Sequence, residues 1–287
     1  MSLESDNKQY DELHAKYEVR ALRLILKEFK RLFAQIPFDN LSLDETISTA
    51  IVEMNLALNE KSLEEVLFKI HYTIGLEFGR LTSRKFRSEN PIQIKAFRPI
   101  SAFEKEFQEH LLEYFRIYGG RQIKTLTKTA SKAVIIELRK GAKLGETEEQ
   151  MRDRILKRVN RKDFYDWQAL RIARTETTVA MNNAQDLAMI SSGAEMDKIW
   201  ITRMDGRERE SHNVANKQKV TQKGLFLVGG SKMKFPGDRT NGAPSNQIVN
   251  CRCRCKYEAK RNGSGRLQFN DEAEIQEALR NRLRNNR

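Results

Sequence analysis

A chain of 287 residues is long enough for one large domain or two ordinary ones. It has 52 Lys and Arg against 39 Asp and Glu, a formal net charge of +13, with 39% hydrophobic and 32% charged residues. These values exclude collagenous and low-complexity proteins and describe a globular chain with a mildly basic surface. Apolar runs such as Ala133-Val134-Ile135-Ile136 fall far short of the ~18 residues a membrane helix needs. The opening Met1-Ser2-Leu3-Glu4-Ser5-Asp6 has neither the basic start nor the apolar segment of a secretion signal. A soluble protein made in the cytoplasm is expected. Three cysteines, all between Cys251 and Cys255, do not form a disulfide framework, so reduced thiols are expected.

In chain order, apolar residues from Leu3 to Ile36 recur at spacings of three, four and seven (Tyr10, Leu13, Tyr17, Ala21, Leu24), predicting a long helix that Pro37 stops. A second helix is predicted over Ser42–Leu58. Ser62 and Glu65 suggest a capping box for a third, carrying Ile70, Ile74 and Phe78. Pro91 and Pro99 mark Arg84–Pro99 as a linker or an irregular crossing. Helices follow over Ala102–Tyr118 and Gln122–Arg139. Another starts in the acidic run after Gly145, and a long one covers Lys162–Ser191 and ends at Gly193. Beyond it the texture changes. Lys198-Ile199-Trp200-Ile201-Thr202 is a predicted strand leading to the turn Asp205-Gly206, and a final strand is predicted over Gln247–Glu258. Arg261-Asn262-Gly263-Ser264-Gly265 has the composition of a flexible linker, and Asn270–Arg287 that of a short helix with an acidic start and a basic end.

The expected fold class is therefore α+β: a helical region over 1–140, a small mixed domain over 141–260, and a linker with a basic tail over 261–287.

Most residues capable of chemistry lie between Arg174 and Cys255. His212 with Cys251, Cys253 and Cys255 has the ligand count of a zinc site. On a regular strand, however, residues i and i+2 are ~6.6 Å apart, too far for two thiolates on one ion. The preferred reading is that the cysteines form a buried face while Arg252 and Arg254 face outward. Asp205, His212 and Asp238, with Glu176 as base, would be a hydrolase set, but Asp205 and Asp238 also sit in turn sequences. Arg174 and Glu176, two apart on one helix, are expected to lock it to the β region, with Arg207, Arg209 and Asp238 as partners. No phosphate loop, dinucleotide fingerprint or nucleophile elbow occurs.

Four strings stand in a set order: Ala173-Arg174-Thr175-Glu176; Trp200-x-Thr202-x-x-Asp205-x-Arg207-x-Arg209-x-x-His212; Phe235-Pro236-Gly237-Asp238; and Asn250-Cys251-Arg252-Cys253. From about Leu144 to Lys256 this order resembles the phage Mu F-like minor head protein family of tailed bacteriophages. The resemblance implies a non-enzymatic minor capsid protein without cofactors. Such a protein would associate with the portal inside the head, and act in head morphogenesis and procapsid assembly. It would also handle packaged DNA through its ejection. Arg174, Glu176, Trp200, Asp205, Arg207, Arg209, His212, Asp238, Asn250, Cys251 and Cys253 are the matching motif positions, in structural or binding roles. The chain departs from the pattern in a third thiol, Cys255, and in the polar run Asn213–Gln218 where a glycine is expected after His212.

The implied partners are the portal protein, the major capsid or scaffolding protein, and double-stranded DNA held without sequence preference. The implied place is the host cytoplasm, then the virion head. Expected DNA contacts are Arg252, Arg254, Arg280, Arg282, Arg284 and Arg287. A metal-dependent nuclease or hydrolase acting during packaging is the alternative.

Overall fold

The computed structural model describes residues 3–35, 60–91, 96–119, 135–147, 149–151, 153–154, 157 and 162–283. The helix predicted over Ser42–Leu58, most of that over Gln122–Arg139, and Arg284 and Arg287 lie outside them. Four long helices make the larger layer: α1 (Leu3–Ala34), α2 (Glu60–Ser88), α3 (Ile100–Tyr114) and α4 (Lys162–Ser191). α3 continues as a π-helical turn over Phe115–Gly119. A smaller β region follows: β1 (Met196–Ile201), α5 (Glu210–Ala215), β2 (Lys219–Thr221), β3 (Phe226–Val228), β4 (Ser231–Met233), α6 (Ser245–Ile248) and β5 (Arg254–Ala259). α7 (Glu272–Leu283) closes the described chain. The fold is α+β, as the run of helical periodicities followed by β-branched segments predicts. Among the described residues, no helix is long and apolar enough to cross a membrane.

α1 spans the predicted interval because Tyr10, Tyr17, Ala21, Ile25, Phe29 and Leu32 form one buried stripe. α2 differs from expectation. Ser62 is inside the helix rather than at its cap, accepting a bond from Arg31 Nη2 at 2.7 Å, and the helix runs on through the segment read as a linker to Ser88. Pro91 constrains its own φ and disfavours helix at Asn90, and the helix ends at Ser88, before either restriction applies. α2 also carries Gly75 and Gly79, four apart and hence on one face. A Cβ at Gly75 would stand 2.4 Å from Phe107 Cζ, and one at Gly79 would stand 2.1 Å from Phe103 Cζ. Two missing side chains thus let two phenyl rings of α3 lie against the α2 backbone.

α4 packs against α1, α2 and α3 and also meets β5, so it belongs to both layers. Its Ala169, Ala173, Ala180, Ala184 and Ala188 are all buried, which brings neighbouring helices close. The main apolar core runs from Tyr10 through these helices to Ile275 and Leu279 of α7. A second core gathers Trp200, Phe226, Val228, Met233, Phe235, Ile248 and the three cysteines. Around it β1 is central in a three-stranded antiparallel sheet of order β2-β1-β5, with Trp200 opposite Cys255, and β3 and β4 form a separate hairpin.

The last predicted strand is shorter than expected. Ser245–Ile248 is one helical turn, Asn250 adopts φ 60°, and regular pairing starts only at Arg254. The segment read as a flexible linker is a closed turn, with Arg261 paired to Leu267 and Asn262 Oδ1 accepting from the amides of Ser264 and Arg266. α7 is docked rather than free: Ile275 and Leu279 are buried, and Arg282 bonds Asp186 and the carbonyl of Asn183 on α4.

Gly79→Ala should lower unfolding free energy by about 1–3 kcal/mol, because Phe103 is buried and cannot swing away. Helix propensity alone would favour Ala by about 1 kcal/mol, so the sign itself is diagnostic. Urea unfolding of Gly79→Ala, with and without Phe103→Leu as a partial rescue, measures it.

Candidate functional site

The centre of the site is the contact between α4 and the chain around Asn250–Cys255. Thr175, Thr178 and Asn182 stand three and four apart, and so on one helical face; all are buried. Each holds that chain by its backbone. Thr175 Oγ1 accepts from the Asn250 amide at 3.0 Å. Thr178 Oγ1 donates to the Cys251 carbonyl at 2.5 Å. Asn182 donates to the Cys253 carbonyl at 3.1 Å and accepts from the Cys255 amide at 3.0 Å. One turn further on, Asp186 accepts from Tyr257 Oη at 2.7 Å and pairs with Arg282. Buried polar groups must be hydrogen-bonded, so this row sets the register of the whole segment against the helix.

Because Asn250 turns the chain before β5 begins, Cys251 and Cys253 are not on a regular strand, and the expectation that their thiols stay apart is overturned. The sulfurs converge on His212 of α5. His212 Nδ1 lies 3.3 Å from Cys253 Sγ and 3.7 Å from Cys251 Sγ. Its Nε2 lies 3.2 Å from Gln247 Oε1, which also accepts from Ser211 Oγ at 2.9 Å. The Trp200 indole packs edge-on against the imidazole, with ring centroids 5.6 Å apart, and its Nε1 donates to Thr202 Oγ1 at 3.2 Å. Cys255 is outside this group; it sits in β5 opposite Trp200, where burial pushes its thiol up.

Arg174 and Glu176 act in different places. Arg174 forms a two-pronged bond with Glu18 of α1, at 3.1 and 3.0 Å, and not with the β region. Glu176 is buried between His71 of α2, at 2.8 Å, and Arg239, at 3.1 Å. Burial alone would raise its carboxyl, but Arg239 and the His71 contact outweigh it and lower the pKa to about 2. The expected lock between helix and β region therefore exists through Glu176, with Arg239 as partner in place of Arg207, Arg209 or Asp238. Asp238 is buried and caps its own loop, accepting from the Lys234 and Thr240 amides and from Thr240 Oγ1. Arg209 reaches the Val249 carbonyl, and Arg207 is exposed beside Asp205. Asp205 pairs with Arg252. Asp205, His212 and Asp238 do not converge, so the hydrolase set is not assembled; among the described residues only His212, Cys251 and Cys253 group as metal-ligand atoms.

The outward-facing reading of Arg252 and Arg254 is also corrected. The N-terminal half of α1 covers that side: Arg254 is buried, bonding Asn7 and stacking on Tyr10 with its guanidinium 5.5 Å from the ring, while Arg252 is spent on Asp205. Arg282 is equally committed, to Asp186, whereas Arg280 is exposed. Sequence reasoning missed His14, His71, Thr178 and Arg239. His14 Nε2 donates to Thr178 Oγ1 at 2.9 Å, tying α1 to the same row. Burial, then the cations Arg203, Arg174 and Arg252, lower the His14 pKa to about 3.

The pH dependence follows from the signs. Both groups are depressed in the folded chain, from 6.5 for His14 and from 4.5 for Glu176, so the unfolded chain takes up their protons first. The His14 contribution is complete above pH 6.5 and is lost as pH falls towards 3; that of Glu176, about 3 kcal/mol, is complete above 4.5 and is lost towards 2. Urea unfolding of His14→Gln between pH 7 and 5 should give a flatter dependence than the parent chain. An unchanged slope would show that His14 does not titrate on unfolding in this window.

Lys217, in the polar run where a glycine was expected, takes φ 67°, so the loop keeps a glycine-like backbone without the glycine. No curated protein and no solved structure matches the chain. Residues 128–256, which contain α4, the β region up to the first half of β5 and every motif string, match the family model described as Phage Mu protein F like protein, and over that stretch the chain is phage Mu F-like.

Proposed function

We propose that this phage head-morphogenesis protein is a minor, non-catalytic capsid component that associates with the portal inside the head and contacts packaged DNA through its phosphates. The observation that carries the reading is the family match over 128–256. Its non-catalytic character is supported by how the polar groups are used. Glu176 is bound on both sides, Asp238 caps its own loop, and Asp205 is paired with Arg252, so none is poised as a base or a hard-metal ligand. Co-expression with the portal protein of the same phage should give a co-purifying complex, and failure to co-purify from assembling heads would remove the portal from the account.

With Arg252, Arg254 and Arg282 committed to other groups, the proposed DNA contact rests mainly on α1. α1 carries exposed Lys16, Arg20, Arg23, Lys27 and Lys30 at alternating spacings of four and three, one row along its outer face. Lys16 and Arg20 share Glu77, at 3.6 and 3.2 Å. Arg23, Lys27 and Lys30 have no acidic partner among the described residues. A row of cations on a straight helix can neutralise successive phosphates without reading bases.

Sequence-independent DNA binding should have dissociation constants on the order of 10⁻⁴ to 10⁻⁶ M at physiological salt. Neutralising Arg23, Lys27 and Lys30 together with Gln should make the log–log salt slope shallower by about 2 to 3. Arg280→Gln should change it by no more than about 1. An unchanged slope in the triple variant would remove α1 from the DNA contact.

A further inference from the structure

The His212, Cys251 and Cys253 cluster has a geometry that packing alone does not require. A tetrahedral zinc ion with Zn–S near ~2.3 Å and Zn–N near ~2.0 Å separates a sulfur and a nitrogen ligand by about 3.5 Å, and two sulfurs by about 3.8 Å. The two sulfur–nitrogen separations are 3.3 and 3.7 Å, and all three ligand atoms lie within 4.8 Å of one another. The imidazole is oriented as a ligand: with Nε2–H donating to Gln247 Oε1, the lone pair of Nδ1 faces both sulfurs. Gln247 is itself held by Ser211 Oγ. The backbone on the thiol side is fixed too, through Thr178 to the Cys251 carbonyl and Asn182 to the Cys253 carbonyl.

We propose that His212, Cys251 and Cys253 bind one Zn²⁺ ion, which pins α5 to the turn before β5. The donor set is two soft thiolates and one imidazole, which suits zinc and not magnesium or calcium. A non-protein ligand such as water completes the coordination. Cys255 takes no part. A Cys251–Cys253 disulfide is the competing chemistry, but it would leave Nδ1 of a buried histidine facing two sulfurs with no proton or ion between them. All three ligands are buried, and Trp200 and Gln247 close two sides of the imidazole.

The test uses the full chain, expressed in zinc-supplemented medium and purified without chelator. Elemental analysis should find one zinc per chain. Replacement by Co²⁺ should produce a near-ultraviolet thiolate charge-transfer band and visible bands of tetrahedral intensity. Cys251→Ser and Cys253→Ser should each lose or shift that spectrum, while Cys255→Ser keeps it. If a serine variant does not fold, the parent chain decides: chelation should lower its melting temperature and added Zn²⁺ should restore it. Substoichiometric zinc with no cobalt charge-transfer band would overturn the proposal, as would an intact-mass shift showing a Cys251–Cys253 disulfide in the purified protein.

Discussion

The structure depends on one constraint: α4 is buried on several sides and yet carries a row of polar side chains. Thr175, Thr178, Asn182 and Asp186 follow one another at spacings of three, four and four, all in the interior. Each unpaired member would cost about 1–3 kcal/mol, more for the carboxylate. The helix can be central only if another segment supplies partners at the same pitch. The chain from Asn250 to Tyr257 does so, offering amide, carbonyl, carbonyl, amide and phenol in succession. An extended chain advances about 3.3 Å per residue and a helix about 1.5 Å, so a strand crossing a helix meets it at few points. The bend at Asn250 and the delayed start of β5 lengthen that contact.

Charges elsewhere in the interior obey the same requirement. Glu176 is acceptable in the core because Arg239 and His71 approach it from opposite layers, and Asp186 because Arg282, Tyr257 and Lys198 surround it. Removing one partner of such a group costs more than the contact is worth, since the remaining charge stays buried. These groups therefore specify which surfaces meet, while the apolar stripes of α1, α2 and α3 supply most of the driving force.

The legible parts of the sequence were those governed by periodicity and punctuation. α1 and α4 were readable from the spacing of their apolar residues, the end of α4 from Gly193, and the change to β structure from the Ile-Trp-Ile run. The site was legible only as an ordered set of strings. Which residues meet was not, because the partners are far apart in sequence and carry no local pattern: Arg174 meets Glu18, 156 residues away, and Arg254 meets Asn7, 247 residues away. The outward reading of Arg252 and Arg254 assumed a sheet with one wet face, whereas α1 covers it. The thiol geometry was misjudged because a regular strand was assumed through Asn250, a residue type that tolerates positive φ. The row on α4 had a signal, polar residues at three-and-four spacing inside a helix rich in buried alanine and other apolar residues.

α4 receives Glu18 and His14 through its own Arg174 and Thr178, and it receives Arg282 through Asp186. These three partners are separated from it by 96 residues on the C-terminal side and by more than 150 on the N-terminal side. During ribosomal synthesis the central helix emerges long before α7, and until then Asp186 lacks its guanidinium partner. The packing of α7 on α4 can therefore be completed only after residue 282 has been synthesised. Until then the α4 surface around Asn183 and Asp186, which α7 covers in the folded chain, is without its Arg282 partner.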